Sequence, residues 1–331
     1  MCAMTTSSTQ AGPQNQSLAH LPVGAFAIVM GLGGTAVAWE RAHERWGLPA
    51  LVGEALAWLG LAVLATLAVA YALKLARHRT AVVAEWRHPV RSAFAASVAV
   101  APLVLSVAML EVAPALSAGL WWTGAVLMAV VTVGALRTWI ADAEIQPGHV
   151  HPAWFIPVVG NLVAPLAGVD HAPEQVSWYF FGVGAVYWLG LLPVVLSRLF
   201  IAGVMPPRLA PTLAILVAPP AVGALAWVRL GGAWSDPLAQ VLLAVVLLQV
   251  ALLASQAPAL RAVPFALSSW AYTFPLAAAT VAVGAAADAG LGIAYAWIAG
   301  ALLTATSALV LGMAVRTGIA VRRRQICVPE G

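Results

Sequence analysis

The chain has 331 residues, 62% of them hydrophobic and 8% charged, and a mean hydropathy of +0.93. Soluble domains carry about 25% charged residues, so a soluble enzyme or a nucleic-acid-binding domain is excluded and an all-α integral membrane protein is expected. The net charge of +4 follows from where the basic residues sit, and the apolar runs, about 20 residues long without alternation, exclude an outer-membrane barrel.

Residues 1–21 contain no Lys or Arg and read as a polar tail with no cleavable signal pattern. The first span is near 22–39. It has no interior proline, but carries Gly31, Gly33 and Gly34, which allow either a kink or close helix approach; Gly34 is read as close packing. The second span is near 50–73. The basic link 74–91 (KLARHRTAVVAEWRHPVR) follows, read as a topology determinant beside lipid headgroups. Its Arg87 and Arg91 have a second reading, an anion-gathering vestibule.

The third span, near 92–110, contains Pro102, and the fourth lies near 116–136. The fifth, near 152–169, contains Pro157, Asn161 and Pro165; the sixth, near 177–197, contains Pro193. Pro219 and Pro220 interrupt the seventh, near 209–228, and the eighth is near 238–257. The ninth, near 264–287, holds Thr273, Phe274 and Pro275. The tenth, near 291–315, leads into a basic tail, 316–331. The organisation is therefore one transmembrane domain, 22–315, between two tails.

Interior prolines thus fall almost wholly in odd-numbered spans. Proline inside a helix removes a backbone hydrogen bond, and lipid cannot replace it, whereas surrounding protein or a watery path can. The pattern predicts an inner ring of kinked odd spans, an outer ring of even spans, and a pore built from five helical hairpins.

Lys and Arg are divided unequally between the two sides. Thirteen fall on one side: Lys74, Arg77, Arg79, Arg87, Arg91, Arg137, Arg198, Arg208, Arg261, Arg316, Arg322, Arg323 and Arg324. Only Arg41, Arg45 and Arg229 fall on the other. The positive-inside rule then places both termini in the cytoplasm, which agrees with an even number of spans.

Span interiors hold almost no ionisable residues. Glu54, Glu111 and Asp288 lie at span ends or turns, so the midplane proton relay of a coupled pump is not found. There is no P-loop and no nucleophile–base pair, so no enzyme and no cofactor is expected. His149 and His151 lie across the membrane from Asp170, His171 and Glu174, which leaves no metal site. Cys2 and Cys327 lie in the tails on the reducing side, where no disulfide is expected. The odd spans carry mild polar groups: Thr35, Ser97, Ser106, Asn161, Thr212, Ser268, Ser269, Thr273 and Thr280. Such groups either solvate a passing anion or bond their own helix backbone. Asn161, between two prolines, has the same two readings.

Phe274 falls about ten residues into its span, roughly 15 Å deep and near the bilayer centre. A large apolar ring beside Pro275 is either packing or a hydrophobic constriction. The segments PVGAFAIVMGLGG (22–34), AVAW (36–39), AEWRHPVR (84–91), HPAWFIPVVGN (151–161) and WAYTFPLAAAT (270–280) resemble the tellurite-resistance/dicarboxylate transporter family, which includes bacterial TehA-type proteins and plant guard-cell slow anion channels. The resemblance implies quasi-fivefold packing of the five hairpins around a central pore, a homotrimer with one pore per subunit, and Phe274 as an occluding gate. Where TehA-type members can have a proline in the first helix, this chain has Val29. The expected function is a passive channel of the bacterial inner membrane for small monovalent anions such as chloride or nitrate. The alternative is a secondary carrier of C4-dicarboxylate, sulfite or tellurite. The expected partners are inorganic anions, membrane lipid and copies of the same chain.

Overall fold

The computed structural model describes residues 17–141 and 145–328, which form helices and turns and no strand. Residues 1–16 of the N-terminal tail, with Cys2, and 329–331 of the C-terminal tail lie outside the described residues, as does the side chain of Arg261. Nine described helices are long and apolar enough to cross a bilayer, and a bent pair supplies a tenth if counted as one span. The protein is a multi-pass membrane protein.

The bent pair is Arg79–Arg87 with Ser92–Ala108, whose axes meet at 112°. Pro89 explains the corner. The residue before a proline is pushed out of the helical region, and His88 is extended at φ −71°, ψ 126°. The second arm supplies the third span.

The even spans are unbroken α-helices: Ala50–Arg77, Pro114–Ala141, Glu174–Ile201, Pro237–Ser255 and Ile293–Arg322. Their apolar residues cover the whole circumference, as a lipid-facing helix requires. The tenth helix runs to Arg322, so 316–322 is helix rather than tail. Thr317 in this extension accepts a 2.9 Å hydrogen bond from Trp270 Nε1.

The odd spans change winding along their length. The first opens as a 3-10 turn, Val23–Phe26, and continues as an α-helix, Ala27–Trp46. The seventh runs 3-10 over Pro207–Val217 and α over Ala218–Arg229. The ninth runs 3-10 over Leu267–Tyr272 and α over Thr273–Asp288. The fifth alternates: Pro152–Phe155 and Gly160–Val163 are 3-10, Ile156–Val159 and Pro165–His171 are α. This revises the expectation of kinked α-helices. Pro157, Pro165, Pro219, Pro220 and Pro275 occupy the first three positions of α segments, where the missing N–H has no helical partner to lose. In the odd spans only Pro102 lies in an α-helix interior, that of Ser97–Ala108.

Burial alternates with span number. In the first, fifth, seventh and ninth spans 72–78% of the apolar window is buried, against 17–33% in the even spans. The third span is buried along almost its whole length. The first span packs on the third and ninth, the third on the fifth, the fifth on the seventh and the seventh on the ninth.

The two described ends share a face of the molecule: Ser17 N–H donates to the Cys327 carbonyl at 3.1 Å. A buried network ties that face together. Lys74 Nζ donates to Glu85 Oε2 and to the Leu21 carbonyl, both at 2.7 Å. Glu85 Oε1 accepts the Val23 N–H at 2.7 Å, and Tyr71 Oη donates to Oε2 at 3.1 Å. Lys74 and Glu85 are only 2% and 7% exposed. The segment AEWRHPVR therefore holds the start of the first span in place through Glu85, a role its basic composition concealed.

Candidate functional site

Two cavities lie in line between the odd spans, and no residue of an even span lines either. The cavity toward the terminal face has a volume of about 60 Å³ and is walled by side chains such as Met30, Phe94, Phe155, Ile215 and Trp270. The cavity toward the opposite face is larger, about 230 Å³, and its rim carries Glu40, Arg41, Glu111, Arg229 and Asp288. Three residues line both: Val163, Val222 and Phe274. The cavities therefore meet at an apolar waist, and Phe274 is its largest side chain.

The ring is placed by the change of winding. Leu267–Tyr272 is 3-10, and Phe274 is the second residue of the α-helix that follows. Gly34 of the first span lies beside it: a Cβ there would come 3.2 Å from Phe274 Cδ2 and 3.1 Å from Ala277 Cβ. Close packing at Gly34 thus makes the seat for the ring. Gly31, one turn earlier, faces Thr273, and a Cβ on Gly31 would overlap Oγ1 of Thr273 and come 2.9 Å from its Cβ. Gly31→Ala is expected to push the first and ninth spans apart and lower the unfolding temperature in detergent by several degrees. Adding Thr273→Ala removes the Oγ1 overlap but keeps the Cβ contact, so it should restore part of the loss; a double variant no better than Gly31→Ala would show that the hydroxyl overlap is not its cause.

The hydroxyl groups of the odd spans do not form a polar lining. Thr35 donates to the Gly31 carbonyl, Ser106 to Leu103, Thr212 to Leu209, Thr273 to Trp270 and Thr280 to Leu276, at 2.6–2.8 Å. Each bonds its own helix. Ser97 alone of these residues lines a cavity, and its hydroxyl donates to the carbonyls of Phe94 and Val23. Asn161 lines neither cavity: its amide donates to the Val158 carbonyl at 2.7 Å and to Thr132 of the fourth span at 2.9 Å. Of the two readings of these groups, backbone satisfaction is the one observed. Thr35 and Thr280 reach the carbonyl four residues back and Ser106, Thr212 and Thr273 the one three back, the ordinary local bonds by which a hydroxyl is satisfied inside a helix.

Of the remaining residues singled out by sequence, Pro219 and Pro275 line the smaller cavity, while Pro102, Pro157, Pro165, Pro220, Gly31 and Thr273 pack behind the walls. Arg87 and Arg91 are exposed on the terminal face and line neither cavity. His151 is buried and stacked on Phe94 with ring centres 5.9 Å apart, so it supports a wall residue. Burial pushes its pKa down to about 4, which keeps the ring uncharged near neutral pH.

Two features of the larger cavity were missed. Glu40 lies one residue beyond the expected end of the first span, yet the helix continues to Trp46 and carries it into the rim. In the sequence the three arginines of this side carry only a topology signal. All three gather at the mouth: Arg41 pairs with Glu44, Arg45 with Asp288 and Arg229 with Asp170. Gly284 leaves the space that Arg45 crosses to reach Asp288.

Residues 20–318 match the family described as SLAC1, voltage-dependent anion channel. The chain belongs to the SLAC1 family. Among curated relatives, an S-type anion channel of Arabidopsis thaliana, SLAH3, is 26% identical over 275 residues, which is 80% of this chain and 43% of the relative. The guard cell S-type anion channel SLAC1 of the same plant is 24% identical over 278 residues, 80% of this chain and 49% of the relative. A tellurite resistance protein TehA homologue of Haemophilus influenzae is 26% identical over 265 residues, 78% of each chain. The chain thus spans about half the length of these plant SLAC1-family members and most of the bacterial one. The family resemblance read from the sequence holds, and a channel or transporter family is not an enzyme family.

Proposed function

We propose that the chain is a passive channel of the bacterial inner membrane for small monovalent anions such as chloride and nitrate, gated by Phe274. Five hairpins, each an odd span followed by an even one, surround a quasi-fivefold pore, and three copies assemble with one pore each. Both termini are cytoplasmic, so the smaller cavity opens inward and the larger one outward. The observation that carries the reading is the waist: two cavities, walled by odd spans and the turns that follow them, meet at the Phe274 ring. An anion crossing it sheds water against apolar walls, and the ring adds a barrier until it turns aside. Passage is then governed by dehydration rather than by a fixed binding charge.

The alternative is a secondary carrier or exporter of C4-dicarboxylate, sulfite or tellurite, and the tellurite resistance in the name of the Haemophilus influenzae relative bears on the last of these. Currents across a planar bilayer containing the purified protein separate the two. Reversal near the chloride equilibrium potential, unmoved by a pH gradient, is expected of the channel. A reversal that follows protons together with added dicarboxylate would establish the carrier instead.

In this reading the basic inner face, with Arg87 and Arg91, raises the local anion concentration. Neutralising either is expected to alter rectification at low salt and much less at 1 M salt, where the screening length falls to about 3 Å. An effect independent of salt would remove the vestibule role.

A further inference from the structure

The corner at Pro89 sets one helix apart from the spans it joins. Arg79–Arg87 follows the end of the second span after a single residue and meets Ser92–Ala108 at 112°, so it runs across the terminal face rather than through the bilayer. Its two sides differ. Val82 and Glu85 are buried against the protein, and Glu85 is held by Lys74 and by the Val23 N–H. The other side is exposed and mixes apolar with basic residues: Trp86, Arg79, Val83 and Arg87 follow one another around an arc of about 100°. Val83 is 40% exposed and Trp86 39%. Trp86 Nε1 donates to Tyr71 Oη at 3.0 Å, so its polar edge is satisfied and its ring remains for apolar contact. The side chains of Arg79 and Arg87 form no hydrogen bond or ion pair with any described residue, and the one carboxylate of the helix, Glu85, is already engaged inside. The strip also continues a surface that lipid covers. The second span, only 17% buried over its apolar window, leads into it with Val69, Leu73 and Leu75 exposed.

We propose that this side of Arg79–Arg87 is a docking surface for acidic phospholipid, with headgroup phosphate on Arg79 and Arg87 and the upper acyl chain against Val83 and Trp86. A helix lying in the interface with apolar and basic residues side by side binds by buried apolar area together with attraction to anionic lipid. Tryptophan settles at headgroup level, and a guanidinium offers a phosphate two parallel hydrogen bonds. The bound lipid is felt inside the protein. The buried side of the same helix fixes the start of the first span through Glu85, and its far end leads round the corner to Phe94, a wall of the smaller cavity. Holding the helix against the membrane therefore steadies the inner mouth. The inference stands whether the chain is a channel or a carrier. Phosphate at Arg87 takes up charge that would otherwise gather permeant anions, so the two roles of that residue compete.

The test follows the unfolding temperature of the full chain in detergent micelles as dioleoyl phosphatidylglycerol is titrated in. The lipid is expected to raise it by several degrees and to saturate, since it binds the folded state alone. Dioleoyl phosphatidylcholine, and glycerol 1-phosphate without acyl chains, should leave it nearly unchanged. Arg79→Gln/Arg87→Gln is expected to raise the half-saturating lipid fraction on the order of tenfold. Arg322→Gln/Arg323→Gln removes the same charge from exposed positions on the same face, away from the helix, and should shift it little. Equal loss in the two double variants overturns the site, because the basic face as a whole would then be responsible. Phosphatidylcholine as effective as phosphatidylglycerol overturns it too, since charge would play no part. Stabilisation by glycerol 1-phosphate alone replaces the lipid with a soluble phosphate and overturns the docking surface. The lipid comparisons use the unmodified protein, so the test stays decisive if a variant does not fold.

Discussion

Phe274→Ala is expected to raise chloride conductance on the order of tenfold to a hundredfold over the unmodified protein. The ring is the largest side chain shared by the two cavities, and its removal would merge them into one path. The size of the effect follows from the barrier it relieves: about 1.4 kcal/mol for each factor of ten in rate. A hydrophobic constriction only a side chain thick can supply one to two such factors, because it strips water from an ion without offering polar contacts in return. The fold should tolerate the change. Phe274 is half-buried against a cavity, so the loss falls below the 3–5 kcal/mol typical of a fully packed Phe→Ala site. Single-channel recording checks it, with Phe274→Leu expected in between. A well-folded alanine variant conducting no better than the parent would remove Phe274 from the gate and leave the waist to Val163 and Val222.

Lys74→Met is expected to destabilise the protein by about 3–5 kcal/mol, because it leaves the Glu85 carboxylate buried without its cation. The damage is local in origin and wide in reach. Glu85 holds the Val23 N–H and Lys74 holds the Leu21 carbonyl, so the start of the first span loses one anchor outright and the other is left to a stranded carboxylate. Thermal unfolding in detergent measures the loss. The double variant Lys74→Met/Glu85→Gln should recover part of it, since no charge is then stranded. A single variant as stable as the parent would mean that water or a rotamer change resolves the carboxylate, and the network would be dispensable.

Much of this arrangement was legible in the sequence, for physical reasons that also mark where reading fails. Proline content anticipated burial in the third, fifth, seventh and ninth spans, because lipid cannot satisfy a freed carbonyl and protein can, but not in the first, which is buried without an interior proline, or the sixth, which carries Pro193 and is largely unburied. The winding was not legible. A proline reads alike whether it bends a helix or begins one, and the distinction at Pro219, Pro220 and Pro275 depends on 3-10 segments with no hydropathy signature of their own. Phe274 stood out because a bulky ring beside a proline at mid-depth is unusual. Thr273 and Asn161 were ambiguous because a hydroxyl or amide has two possible partners, and only packing chose the backbone. Glu40 was hidden by hydropathy itself: a charged residue ends an apolar run on paper, while the helix carries on for six more residues into the mouth.

The 3-10 segment ahead of Phe274 has one further consequence, a mechanical one. A 3-10 helix turns about 120° and rises about 2.0 Å per residue, whereas an α-helix turns about 100° and rises about 1.5 Å. Rewinding one residue from the first form to the second therefore rotates everything beyond it by about 20° and draws it in by about 0.5 Å. Six residues, Leu267–Tyr272, lie in the tighter form immediately before the ring. The segment is a screw thread with Phe274 at its tip. It is held to the tenth helix at its fourth residue through the Trp270–Thr317 hydrogen bond, so a change of winding between Trp270 and Thr273 would turn the ring while that anchor stayed in place.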